Sequence, residues 1–186
     1  MRLYAFLIPL LVGFVFTSAS AFTTFFSHRF GERRGRVICI LLRDVLGIPL
    51  WALGYVIAAR TPSTLVFNPE AHSSTISWIF IFAGAAIIIT GLMTLRWRAA
   101  APSVKDTLVD QGLYAHIRHP LYTGMMLELT GLFLWLPTIS ILVACLLGVI
   151  WVMVQARLEE TDLVKRLPEY REYMLKVPRF IPKINF

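Results

Sequence analysis

Long apolar runs alternating with short polar stretches set the pattern of this chain. Residues 3–21, 37–59 and 76–95 are runs of about bilayer-crossing length, since a helix rises about 1.5 Å per residue and a hydrocarbon core is about 30 Å thick. Residues 125–136 are also apolar, but twelve residues reach only about 18 Å. Pro137 ends that run, and residues 138–155 form a longer one. The pattern predicts five helices, the last two a hairpin with a tight turn at residues 135–138. Residues 156–186 are a polar tail, helical on both sides of Pro168 as far as Tyr173 and continuing the last membrane helix into water. Residues 177–182 should be extended, because the residue before a proline avoids the α region. The fold expected is all-α and polytopic. It forms a single membrane domain over residues 1–186, with a three-span part (1–95) and a second part (96–186) made of a loop, the hairpin and the tail.

Composition sharpens this reading. The chain has 186 residues, of which 57% are hydrophobic and 16% charged, with a mean hydropathy of +0.68. Soluble domains carry about 25% charged residues, so an integral membrane protein is expected. The net charge of +7 comes from basic residues beside the apolar runs. Such placement signals topology and contact with anionic lipid, not nucleic acid. Residues 25–36 are read as a basic loop holding His28, Arg29, Arg33, Arg34 and Arg36, and residues 96–122 as a second. Counting the tail with these loops, fifteen of eighteen lysines and arginines fall on one side; Arg2, Arg60 and Arg43 are the others. This predicts an external N-terminus and a cytoplasmic C-terminus. Arg2 and Ala19-Ser20-Ala21 imitate a cleavable signal. Cleavage would strand the basic loop outside, so a retained helix is expected. Cys39 and Cys145 lie in apolar runs with no CxxC spacing and read as core residues. Arg43 and Asp44 read as an interface anchor and its partner, or as an ionisable pair at a substrate mouth.

The densest chemistry lies in residues 111–124, QGLYAHIRHPLYTG, just before the short apolar arm. Arginine there can grip an anionic group as a permanent two-pronged donor and histidine as a switchable one, while tyrosine and proline can stack on a flat ring. In the tail, Glu159 and Glu160 can accept hydrogen bonds from ribose hydroxyls or an ammonium group. Together these suit a ligand with a carboxylate, an amine and an aromatic base. A bland alternative is a helix-start turn with interface anchors. His116 and His119 are three apart, but no third ligand accompanies them, so no metal site is expected. GxSxG, GxGxxG and phosphate-loop motifs are missing.

The motif L-V-x-x-G-x-Y-x-x-x-R-H-P-x-Y-x-G occurs as Leu108, Val109, Gly112, Tyr114, Arg118, His119, Pro120, Tyr122 and Gly124. It continues after the hairpin as A-R-L-E-E and then Y-R-E-Y-M-L-K-V-P-R-F-I-P. In this order the motifs over residues 108–184 resemble the isoprenylcysteine carboxyl methyltransferase family and related membrane phospholipid N-methyltransferases. Some sterol reductases carry a similar RHPxY piece. The resemblance implies S-adenosyl-L-methionine as methyl donor, bound on the cytoplasmic side between residues 111–124 and the tail. It implies a lipophilic or prenylated acceptor entering from the bilayer. Tyr114, Arg118, His119, Pro120, Tyr122 and Gly124 would cradle the donor, with Glu159 or Glu160 and Tyr170 closing it. Arg157 would orient an acceptor carboxylate, and a glutamate would serve as base for an amine. Leu167-Pro168 stands where the family often has Phe-Gly, which leaves the register of Glu159 and Glu160 open. N-methylation of an aminolipid, an NADPH-dependent membrane reductase and a non-catalytic scaffold are the competing readings.

Overall fold

A computed structural model describes residues 4–96 and 103–183, and within them the protein is helical, with one isolated β-bridge, Leu65–Thr138. Arg2 and Arg98 of the charge count, and the outermost residues of the first run and of the tail, lie outside the described residues. The first rod is α1 (Leu7–Thr17), a 3-10 turn (Ser18–Phe22) and α2 (Thr23–Phe30). Its tightened middle follows from hydroxyls that bond back one turn: Thr17 Oγ1 to the Gly13 carbonyl at 2.7 Å and Ser18 Oγ to Phe14 at 2.8 Å. The second rod is α3 (Glu32–Ile40), a π-helical turn (Leu41–Gly47) and α4 (Ile48–Arg60).

Residues 25–36, expected as a loop, are instead the facing ends of these two rods. Only Gly31, at φ +82°, breaks the helix. Polar residues do not forbid helix, and one glycine in the left-handed region reverses the chain without a loop. The rods pack closely: a Cβ on Gly54 would meet the Leu10 backbone at 2.8 Å, and one on Gly35 the Phe26 carbonyl at 2.7 Å. In lipid, where apolar burial drives little, such small-residue approach supplies dispersion contacts.

The third rod, α5 (Ala71–Leu95), lies along α6 (Pro120–Trp135). They meet at small residues on both helices. A Cβ on Gly84 would strike the Gly124 carbonyl at 2.6 Å, and one on Gly124 the Gly84 carbonyl at 2.6 Å. Ser77 Oγ donates to the Gly131 carbonyl at 2.9 Å. Gly124→Val is therefore expected to cost about 1–3 kcal/mol by overpacking, lowering the unfolding midpoint in detergent by about 5 °C. Gly91→Ala, whose new Cβ approaches the flexible end of Leu121 at 2.9 Å and Pro120 at an ordinary 3.6 Å, should leave that midpoint nearly unchanged.

After α6 the chain turns at Leu136-Pro137 into α7 (Ile139–Arg166), capped by Thr138, whose side chain accepts from the Ile141 amide. The hairpin and its turn stand where the pattern placed them. α7 projects past the apolar region, and the short α8 (Tyr170–Lys176) follows beyond Pro168. Among the described residues, four helices are long and apolar enough to cross a membrane: Leu7–Phe30, Glu32–Arg60, His72–Leu95 and Ile139–Arg166. The fifth expected helix, α6, has sixteen residues, about 24 Å, and stops short of a full crossing. Phe6, Leu10 and Phe14 pack with Ala58 and with Ile141, Ala144 and Cys145 of α7 as the main core. Both cysteines are buried and free.

Candidate functional site

Pro120 starts α6 because a first-turn residue needs no amide hydrogen. His119 caps it with a non-helical backbone. The amides of Arg118 and His119 are thereby free to pair with the tail. They donate to the carbonyls of Pro178 (2.9 Å) and Arg179 (3.0 Å), and Thr123 Oγ1 donates to Phe180 (2.9 Å). The non-helical segment after α8, which bends at residues 177 and 179–181 where an extended chain was expected, is therefore strapped across the start of α6.

Glu160 is the centre of the strap. Its Oε1 accepts from Arg118 Nε at 3.0 Å and Arg179 Nε at 3.0 Å, and lies 3.2 Å from His119 Nε2. Its Oε2 accepts from Arg179 Nη2 at 2.5 Å. Side-chain exposure is 5% for Glu160, 6% for His119 and 8% for Arg118. Arg118 Nη1 also donates to the carbonyls of Met174 (2.8 Å) and Val177 (2.5 Å). Bonding to Glu160 pushes Arg179 above the usual guanidinium range.

Glu159, one residue earlier, points elsewhere, since successive side chains on a helix diverge by about 100°. Its Oε1 accepts from Tyr122 (2.5 Å), Gln155 Nε2 (3.1 Å) and Ser20 Oγ (3.2 Å). Its Oε2 has the His119 ring at 4.0 Å. Glu159 lies on the wall of a cavity of about 720 Å³, and Glu160 does not. The same cavity is walled by Arg118, His119 and Tyr122 from the RHPxY stretch, by Tyr114, and by Tyr170 and Tyr173 from α8. His119 and Tyr170 thus share one space. The His119 and Tyr122 rings stack at 5.4 Å, and Tyr173 donates to the Tyr114 carbonyl at 2.5 Å. Burial pushes the Tyr173 phenol up to about 12 and raises those of Tyr114 and Tyr170. All three stay neutral near pH 7 and act as hydrogen-bond donors and flat walls.

Three residues grouped with these by motif stand off the wall. Gly124 faces Gly84, where its missing side chain is needed for helix packing. Pro120 is buried at the helix start, and Arg157 is on an exposed face of α7. Conversely, the cavity includes residues the sequence reading passed over. Asp162 and Arg166 pair at 3.2 Å, Arg166 lies 3.7 Å from Asp106 and bonds the Ser103 carbonyl, and the Thr24 amide donates to Asp162 at 3.1 Å. The signal was present: Gln155, Glu159, Asp162 and Arg166 recur every three or four residues, which is one face of a helix. The N-terminal rods supply Thr17, Ser20, Arg43, Asp44 and Trp51. Both α4 and α5 contribute to the wall, yet α4 packs on α1 and α7 while α5 packs on α6. Ile48 and Leu92, one from each of these helices, line the cavity and are exposed. Among the described residues no group of three or more histidine, cysteine or acidic side chains is placed to hold a metal ion.

The phospholipid methyltransferase family model matches residues 97–169. A methanethiol S-methyltransferase of a Pseudomonas species is 35% identical over 93 residues, 48% of this chain and 34% of the relative. The cobalt-zinc-cadmium resistance protein CzcN of Cupriavidus metallidurans is 32% identical over 83 residues, 43% of this chain and 38% of the relative. The matches span little more than a third of these curated relatives. No solved structure matches the chain. Residues 97–169, which contain the RHPxY stretch, are thus similar to the phospholipid methyltransferase family.

Proposed function

We propose that this chain is an integral-membrane methyltransferase that uses S-adenosyl-L-methionine and acts on a lipophilic acceptor. The observation that carries the reading is the cavity closed jointly by the RHPxY stretch, the tail and Glu159. Its side chains suit the donor. Glu159 Oε2, which has the His119 ring at 4.0 Å, can accept from a ribose hydroxyl or the donor's ammonium group. Tyr114, Tyr170 and Tyr173 offer apolar faces to an adenine. When bound, the donor supplies an electrophilic methyl group on a sulfonium.

The protein's part is to hold the acceptor in line and keep water out. Trp51, Trp151, Leu92 and Met125 add apolar surface to the cavity wall, which supports an acceptor with a hydrocarbon body. Ile48 of α4 and Leu92 of α5, on the cavity wall and exposed, support its entry from the bilayer, and the distribution of basic residues supports a cytoplasm-facing site. The carboxylate of an isoprenylcysteine-like molecule is the first candidate acceptor. A thiol, by likeness to the Pseudomonas relative, and an aminolipid are the others. An ionised acceptor needs no base, and for an amine Glu159 is the placed carboxylate. Arg157 stands on an exposed face of α7, off the cavity wall.

Purified protein is expected to bind S-adenosylhomocysteine and to transfer labelled methyl to a component of a membrane lipid extract. Label lost in mild base marks a carboxyl ester, and label retained marks an N- or S-methyl group. Tight binding of NADPH without S-adenosylhomocysteine would replace this reading with the reductase. In a series of acceptors of rising tail length, prenyl-length compounds should react best. Equal turnover at all lengths would remove entry through the bilayer.

A further inference from the structure

Arg43 and Asp44 sit in the π-helical turn Leu41–Gly47, inside a helix long and apolar enough to cross a membrane. A charged pair at such a position is costly, and where it persists it marks a functional site. π-Helical turns inside α-helices mark such sites as well. Asp44 holds the guanidinium at two points, Nε to Oδ1 at 2.7 Å and Nη2 to Oδ2 at 2.9 Å. Side-chain exposure is 16% for Arg43 and 34% for Asp44. Both face the cavity, in company with Ile48 and Trp51 of the same rod. Arg43 shares the cavity wall with Glu159 and Tyr122. None of this rod falls within the stretch that the methyltransferase family model covers, residues 97–169. Tyr114, Arg118, His119, Tyr122 and Glu159 of the cavity wall fall within that stretch, and Arg43 and Asp44 lie outside it.

We propose that Arg43, oriented by Asp44, selects the acceptor's head group: it takes an anionic carboxylate or thiolate and refuses a cationic amine. This rests on the methyltransferase reading of the cavity. An anionic acceptor balances the transfer without a proton. Its lone pair forms the new O–CH3 or S–CH3 bond, the sulfonium S–CH3 bond breaks, and that electron pair stays on the donor sulfur. A cation and an anion become two neutral products, a change favoured where water is excluded and the dielectric is low. Arginine suits the task because it stays charged when buried and grips with fixed geometry. An ammonium head would meet its like charge, and Asp44 is already engaged.

The test measures equilibrium binding of labelled dodecanoate, dodecanethiol and dodecylamine to the full chain in phosphatidylcholine nanodiscs, with S-adenosylhomocysteine binding in parallel. The wild type should bind dodecanoate or dodecanethiol, whichever is the true head group, at least about tenfold more tightly than dodecylamine. Arg43→Gln should lose about that factor for the preferred anion and keep S-adenosylhomocysteine affinity within about twofold, and Arg43→Lys should retain part of it. Asp44→Asn, which keeps one oxygen to orient the Arg43 guanidinium and removes the competing charge, should keep or tighten anion binding. A merely structural pair would lose binding in both variants alike. Dodecylamine binding as well as either anion, or an unchanged Arg43→Gln, overturns the proposal. If Arg43→Gln does not fold, the wild-type head-group series decides. Arg43-dependent anion binding with no S-adenosylhomocysteine binding would instead remove the methyltransferase reading and leave the anion site standing.

Discussion

Glu160→Ala should release the tail and abolish donor binding. Removing the carboxylate leaves Arg118 and His119 nearly buried beside Arg179, which is 31% exposed, with no anion between them. Breaking a buried pair from one side costs about 3–5 kcal/mol. The loss falls on the strap, because the same carboxylate holds residues 118–119 and Arg179 together. The main core of the apolar rods lies away from Glu160, so the rods should stay folded, while the strap, left with the bonds from Arg118 to the carbonyls of Met174 and Val177, opens more often. The measurement is limited trypsin digestion with S-adenosylhomocysteine affinity on the same sample. Cleavage at Arg171 or Lys176 should speed up by about a hundredfold, in line with 3 kcal/mol of local opening. Glu172→Ala, which removes only an exposed pair with Lys176, is the control and should change neither readout. Normal protection and normal affinity in Glu160→Ala would mean that the strap does not form the site.

Hydropathy made the rods and the hairpin turn at Pro137 legible, because lipid and proline each leave the chain little alternative; residues 177–182, expected to be extended, instead bend at 177 and 179–181, where the carbonyls of Pro178 and Arg179 meet the amides of Arg118 and His119. It misread residues 25–36, where charge suggested a loop and Gly31 alone makes the turn. Charge says where a segment meets water, and not whether its backbone is helical. The short arm was legible in length, but whether twelve to sixteen residues count as a span is decided by what packs around them. At the site, the motif brought together the right stretch of chain without separating its roles. Gly124 and Pro120 recur beside Arg118, His119 and Tyr122 in sequence, yet one serves the α5–α6 contact and the other the start of a helix. Neighbours in a motif share a location, while the direction of a side chain depends on the helical phase.

The same phase separates two adjacent carboxylates, and this gives the second large effect. Glu159→Gln should leave the fold intact and weaken the donor by about ten- to a hundredfold, the worth of one charge-assisted hydrogen bond of about 1.5–3 kcal/mol. The amide oxygen can take over the position of Oε1, keeping the bonds from Tyr122, Gln155 and Ser20. The group that replaces Oε2 is then a donor facing His119 and the cavity, so it cannot accept from a ribose hydroxyl or an ammonium group. Tail protection against trypsin should stay at the wild-type level, since Glu160 is untouched. The two variants therefore divide in a titration with S-adenosylhomocysteine: Glu160→Ala loses affinity together with the strap, and Glu159→Gln loses affinity alone. Wild-type affinity in Glu159→Gln would move the donor away from this carboxylate. The aspartates on the same cavity wall, Asp162 and Asp106 beside Arg166, would then be the next groups to test for holding it.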